Sequence, residues 1–154
     1  MLKITIVAVG KLKERYWRDA IDEYLKRMRP YVDIRLVELA DMPDTQKEMA
    51  RRREGEAIIK ALPFDAKVVL LASEGTTRSS EDIARWIDRC AVCAISHLVF
   101  VIGGSSGVSP AVRQRAEETL SLGAITLPHN LARVVLAEQL YRAFKIIRNE
   151  PYHK

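Results

Sequence analysis

Long hydrophobic runs are missing from this sequence: the longest apolar stretches, such as Val68 to Ala72 and Leu98 to Ile102, are far shorter than the roughly 18 residues a membrane-spanning helix requires. Nothing here is expected to cross a bilayer. Cysteine is scarce too, two in 154 residues, and Cys90 and Cys93 form a lone C-x-x-C. With only His97 nearby, the set falls short of the four ligands of a closed zinc site, and it lies late in a helical segment rather than at the start of one. Two reduced, mostly packed thiols are expected, and no metal. Glycine, serine and proline show no bias toward disorder, and the amino terminus, Met1-Leu2-Lys3-Ile4, enters strand-like alternation without the charged, apolar and small-residue sections of a signal peptide. A cytoplasmic location is the expectation.

What is present is an ordinary globular mixture, 48% hydrophobic and 29% charged, in a chain long enough to bury a core as one domain, 1-154. The net charge of +5 suits a polyanionic partner but does not identify one.

The periodicities alternate. Leu2, Ile4 and Ile6 lead into Val7-Ala8-Val9 as a strand ended by Gly10. Trp17, Ala20, Ile21, Tyr24, Leu25 and Met28 then repeat with helical spacing up to Pro30. Ile34 to Ala40 reads as a second strand, and Thr45 with Glu48 as a capping box for a helix reaching Leu62. On that helix Glu48, Glu54 and Glu56 intersperse Arg51-Arg52-Arg53, which predicts a solvated face. Lys67 to Ala72 is a third strand. Ser79 or Ser80 caps a helix turning Ile83, Trp86, Ile87 and Cys90 inward, and Leu98 to Ile102 is the fourth strand. Ser109 and Pro110 open a short helix, Ile125 to Leu127 is read as a short fifth strand, and Asn130 as the start of the last helix. Five β-α units predict an α/β fold, a parallel-rich sheet with helices on both faces.

In such sheets ligands bind beyond the carboxyl ends of the strands. Three segments qualify: Leu71 to Gly75, Ile102 to Gly107, and Ser121 to Pro128. The glycine loop lacks the Gly-Lys-Ser/Thr ending of a P-loop and the placement of a dinucleotide fingerprint, and an ordinary tight turn remains a rival reading. The third segment is nearly all apolar. A ligand there would be read by main-chain groups and shape, which suits adenine and a thioether better than a triphosphate, although Leu122, Ile125 and Leu127 read equally well as core. On the last helix, Arg142, Lys145 and Arg148 fit either phosphate contact or a solvated face with Glu138 pairing to Arg142. The ending Tyr152-His153-Lys154 places an aromatic, an imidazole and a cation in sequence, a trio able to stack on a base, exchange a proton and hold a phosphate.

Ile102-Gly103-Gly104, Leu127-Pro128-His129, Ala137-Glu138-Gln139-Leu140-Tyr141-Arg142-Ala143 and Pro151-Tyr152-His153-Lys154, in this order, resemble the RlmH family of the SPOUT superfamily. The likeness extends over the whole chain, including Val7-Ala8-Val9-Gly10-Lys11. It implies a SPOUT-type fold with a deep C-terminal trefoil knot, a homodimer, and a methyltransferase using S-adenosyl-L-methionine on N3 of a pseudouridine in 23S ribosomal RNA, in the large subunit or the assembled ribosome. It implies cofactor binding by Leu71, Gly103, Gly104 and the stretch Leu122, Gly123, Ala124, Ile125, Thr126, Leu127 and Pro128. His153, His129 and Glu138 are candidate proton acceptors. Arg133, Arg142, Tyr152 and Lys154 are candidate RNA contacts, with Lys11, Lys13 and Arg15 extending the basic surface. The residues by themselves leave two rivals: a nucleotide-binding α/β protein without RNA, and a ribosome-binding module without catalysis.

Overall fold

The computed structural model describes residues 1–152, apart from the side chain of Asp44; His153 and Lys154, a candidate base and a candidate RNA contact, lie outside the described residues. The elements are β1 (Lys3–Val9), α1 (Arg15–Met28), β2 (Asp33–Leu39), α2 (Lys47–Ala61), β3 (Lys67–Thr77), α3 (Ser80–Val92), β4 (His97–Ile102), α4 (Pro110–Arg115), β5 (Glu118–Ser121) and α5 (His129–Ile147). They build one parallel sheet in the order β2-β1-β4-β3-β5.

Strand alternation divides the core in two. Ile4, Ile6 and Ala8 of β1 and Leu98, Phe100 and Ile102 of β4 face α1, α3 and α5, where Ile21, Met28, Ile87, Leu136 and Leu140 cover them. Val7, Val9, Val99 and Val101 face the other way, under Ile58 of α2 and Val112 of α4. A sheet covered on both sides explains why β1, β3 and β4 read as nearly continuous apolar runs. The expected caps form at α3 and α4: the Ser79 hydroxyl accepts from the Asp82 N–H at 3.0 Å, and Ser109 from Val112 at 3.4 Å with Pro110 at the first helical position.

Several expectations are corrected. The fifth strand is Glu118–Ser121, not Ile125 to Leu127. It is an edge strand, so one buried Leu120 beside β3 suffices to seat it, and polar Glu118 supports it from outside by meeting Lys67, Arg78 and the Trp86 indole. β3 continues to Thr77 past a break in register between Leu71 and Thr76, which bends the Ser73-Glu74-Gly75 segment instead of releasing it as a loop. The Thr45 and Glu48 capping box does not form. Asp44–Gln46 makes a 3-10 turn that absorbs Thr45, and α2 starts at Lys47 without a side-chain cap. The last helix begins one residue early, at His129 with Pro128 before it. Cys90 is buried, but Cys93 is exposed rather than packed.

Candidate functional site

The three segments singled out in the sequence converge beyond the carboxyl ends of β3, β4 and β5. There they line one cleft of about 380 Å³, within the size range of small-molecule sites. One wall is Leu71 to Glu74, a second is Ile102 to Ser105 with Gly107 and Val108, and the third is Leu122, Gly123 and Ile125 to Leu127; His129 and Ala132 of α5 close the floor. Among the expected cofactor residues, Leu71, Gly103, Gly104, Leu122, Gly123, Ile125, Thr126 and Leu127 line the cleft; Ala124 and Pro128 belong to the same segment but do not.

Local sequence explains the walls. The glycine turn folds back on itself, the Gly107 N–H donating to the Gly104 carbonyl at 3.1 Å. Gly104 packs closely: an added Cβ would stand 2.9 Å from Glu54 Oε1 and 3.0 Å from Val9 Cγ1, so a neighbour would have to shift. Gly123 has φ of +122°, a conformation that L side chains rarely adopt, and this turns the chain from β5 into the apolar wall. Ile125 is 74% exposed, so this segment is not core: its apolar side chains border the cleft, leaving main-chain groups to supply polarity. At the rim Arg113, missed in the sequence, pairs with Glu74 of the first candidate segment. Hydrogen bonds from its own backbone and from Arg113 hold the Glu74 carboxyl below the usual carboxylate range.

Other candidates stand apart from this cleft. His129 lines it, but Glu138 lies nine residues along α5, roughly 13 Å away by helical rise. There Glu138 accepts from Arg142 Nε at 2.6 Å, the Arg142 guanidinium lies 4.8 Å from the centre of the Tyr152 ring, and Tyr152 meets Tyr141 edge-on at 4.9 Å. Burial, with Glu138 nearby, pushes the Tyr152 hydroxyl up from its ordinary value. Just beyond, Tyr31 donates to Glu150 at 2.7 Å and Lys145 does so at 2.8 Å, fastening the tail to α5.

Arg133, expected on the RNA surface, is instead 1% exposed. Its guanidinium donates to Glu38 at 3.0 Å and to the Val9 carbonyl at 2.8 Å, and Glu38 also accepts the Leu12 N–H at 2.8 Å. Burial pushes Arg133 down from its ordinary value while Glu38 opposes the shift. This arginine fixes the β1–α1 loop that carries Lys11 and Lys13, and it has no surface left for a phosphate.

Among the described residues no group of three or more His, Cys, Asp or Glu is arranged to hold a metal ion, and no helix is long and apolar enough to cross a membrane. The open parallel sheet, with a glycine-walled cleft at its carboxyl edge, places this chain among α/β proteins whose ligand sites lie beyond the strand ends. The comparisons are more particular. The family model described as "Predicted SPOUT methyltransferase" matches residues 2–153. Proteins called ribosomal RNA large subunit methyltransferase H from Bacillus pumilus and Listeria monocytogenes are each 46% identical, and one from Bifidobacterium animalis subsp. lactis is 48% identical, all over 99% of this chain and the whole of theirs. The chain belongs to the SPOUT methyltransferase family. A solved structure titled as a probable methylase family protein from Haemophilus influenzae matches all of this chain and 72% of its own, with a TM-score of 0.56 at 16% identity, a likeness of fold alone.

Proposed function

We propose that this methyltransferase transfers a methyl group from S-adenosyl-L-methionine to ribosomal RNA of the large subunit, at N3 of a pseudouridine as the resemblance to the RlmH family implies. The observation that carries the reading is the convergence of all three segments on one cleft. That cleft fits the cofactor. Its volume suits a nucleoside with an amino-acid arm, Leu71, Leu122, Ile125 and Leu127 offer apolar surface to a purine, and the 122–128 segment offers main-chain donors and acceptors to its edge. The cofactor supplies an electrophilic methyl on a sulfonium. The protein's task is to fix that methyl in line with the attacking nitrogen and to accept the imide proton.

The RNA surface is assigned to the far end of α5, where Arg142 and Tyr152 lie together, with Lys154 following them in the chain. Arg142, which lies against Tyr152, follows His129 of the cleft by 13 residues on α5, about 20 Å at 1.5 Å per residue, so within one chain this surface and the cleft are too far apart to act on one nucleotide. This separation supports a homodimer in which the tail of one copy reaches the cleft of the other, bringing His153, His129 and Glu138 into competition as the base. The trefoil knot belongs to the same reading: it would thread the 122–128 segment so that the cleft walls cannot splay apart. A cytoplasmic location follows from a ribosomal substrate.

The test is incubation with radiolabelled S-adenosyl-L-methionine and either free large subunits or assembled ribosomes lacking the modification, followed by mapping of the label. Label at a single pseudouridine supports the proposal. Binding to ribosomes without transfer would make the protein a passive module, and binding of ATP or NAD in place of S-adenosyl-L-methionine would make it a different α/β enzyme.

A further inference from the structure

α2 carries a charged side chain on its inward face. Glu54 is only 4% exposed, between the apolar positions Ala50 and Ile58 that seat the helix on the sheet. One carboxylate oxygen, Oε2, accepts the Met42 N–H at 2.8 Å. The other, Oε1, is buried and has no hydrogen-bond partner. A buried carboxylate oxygen left unpaired is costly, and a native fold keeps one only where something offsets it. Its direction is informative: Oε1 faces Gly104, the residue whose missing side chain leaves the carboxylate in contact with the back of the turn that walls the cleft. The cleft and the carboxylate are therefore separated by the thickness of one glycine.

We propose that Glu54 is a binding residue for the positive charge of the methyl donor, acting through the Gly104 turn on whatever cation the cleft contains. The inference rests on the reading of the cleft as a site for S-adenosyl-L-methionine. Across a wall of apolar groups and main chain a carboxylate attracts a cation far more strongly than it would through water. The attraction is also selective in time. When the nucleotide nitrogen's electron pair forms the new N–C bond, the electron pair of the S–C bond returns to sulfur, and the sulfonium becomes a neutral thioether. Glu54 then loses its counter-charge, so the cleft holds the charged donor more tightly than the spent product. Gly104 favours this arrangement because an added Cβ would meet Glu54 and force the side chain or the turn to shift.

Isothermal calorimetry on the full-length protein, with S-adenosyl-L-methionine and with S-adenosyl-L-homocysteine, tests the proposal. The two differ in the methyl group and its positive charge. Glu54→Gln keeps the size of the side chain and an oxygen for the Met42 N–H while removing the charge. The ratio of the two affinities is measured within one variant, so it is insensitive to any fraction of protein that fails to fold. The expected result is a loss of about tenfold for the sulfonium ligand and little change for the thioether, a factor equivalent to about 1.4 kcal/mol. An equal loss for both ligands, or no loss for either, would overturn it and leave Glu54 a purely structural residue. Wild-type protein binding neither ligand would instead overturn the cofactor reading itself, a result distinguishable because it appears before any substitution is made.

Discussion

At the N-terminal end of α5 the cleft is walled by glycines, main chain and aliphatic side chains, whereas toward its C-terminal end tyrosines, carboxylates and cations crowd together. In the proposed reading the first region would discriminate by shape and backbone, and the second, where Arg142 lies against Tyr152, would offer a cation and a ring to a base and its phosphates. One long helix joins them, with Leu136 and Leu140 buried along it, so the two regions are rigidly spaced. Fixed spacing means neither end can adapt to the other within a chain, and in the proposed dimer complementarity would come from assembly.

The largest expected effect separates the two regions by genetics. Leu127→Glu, which places a charge in the cleft, and a chain ending at Glu150 should each lose about a hundredfold or more in methyl transfer, since small misplacement at a reacting centre has such consequences. Co-expressed with different tags and purified on both in turn, the mixed dimers should recover about half of wild-type activity, because each would contain one intact site of two. No recovery in such mixed dimers would show that each chain completes its own site.

Next comes Gly104→Ala. With its Cβ forced against Glu54 and Val9, the turn must shift, which is expected to lower stability by about 1–3 kcal/mol and weaken both cofactor and product, measured by thermal unfolding and calorimetry. Ribosome binding through the tail should be unchanged, and a parallel loss there would mean the two regions are less independent than described.

Arg133→Leu follows. Breaking the pair strands Glu38, and because Glu38 is partly solvated the loss of stability should be about 2–3 kcal/mol, below the range for a fully buried pair. Urea unfolding measures it, and Arg133→Leu combined with Glu38→Leu should restore part of the loss. If instead RNA affinity falls with no change in stability, Arg133 belongs to the RNA surface after all.

The smallest effect is at the tail latch. Hydrogen bonds from Lys145 and Tyr31 hold the Glu150 carboxyl below its ordinary value. Its contribution to stability is therefore complete above about pH 4.3 and is lost as the pH falls through the lowered folded value. Lys145, raised by the same contact, would lose its share only in strong alkali. Glu150→Gln should accordingly melt slightly earlier than wild type across neutral pH, with the gap closing in acid; a gap that widens toward acid would reverse the assignment.

Much of this architecture was legible in the residues because burial on both faces leaves an unmistakable run, as in Val68 to Leu71 or Leu98 to Ile102, and because Ser79, Ser109 and Pro110 announce helix starts by their own chemistry. Two of the cleft segments, after β3 and β4, were legible for the same reason, since a strand's end can be placed once the strand is; the third was found by its apolar composition although its strand was misplaced. β5 was missed because an edge strand needs few apolar residues, while the aliphatic 125–127 segment borders a cleft instead of a core. Arg133 and Glu54 were misread because charge suggests solvent. For Glu54 a signal was available: Ala50, Glu54 and Ile58 repeat every four residues, which places the carboxylate on the stripe that faces the sheet. Arg133 carried the same mark, standing three, four and seven residues before Leu136, Ala137 and Leu140, but its partners Glu38 and Val9 lie far away in the chain, where local spacing does not reach.

The apolar wall from Leu122 to Leu127 has a consequence for resistance to inhibitors. A compound gripped there by peptide groups presents the cell with few side chains whose replacement would loosen the drug alone. A substitution that does alter the wall, at Gly123, would change the shape on which the proposed cofactor site depends as well. Escape and loss of activity would then tend to be the same mutation.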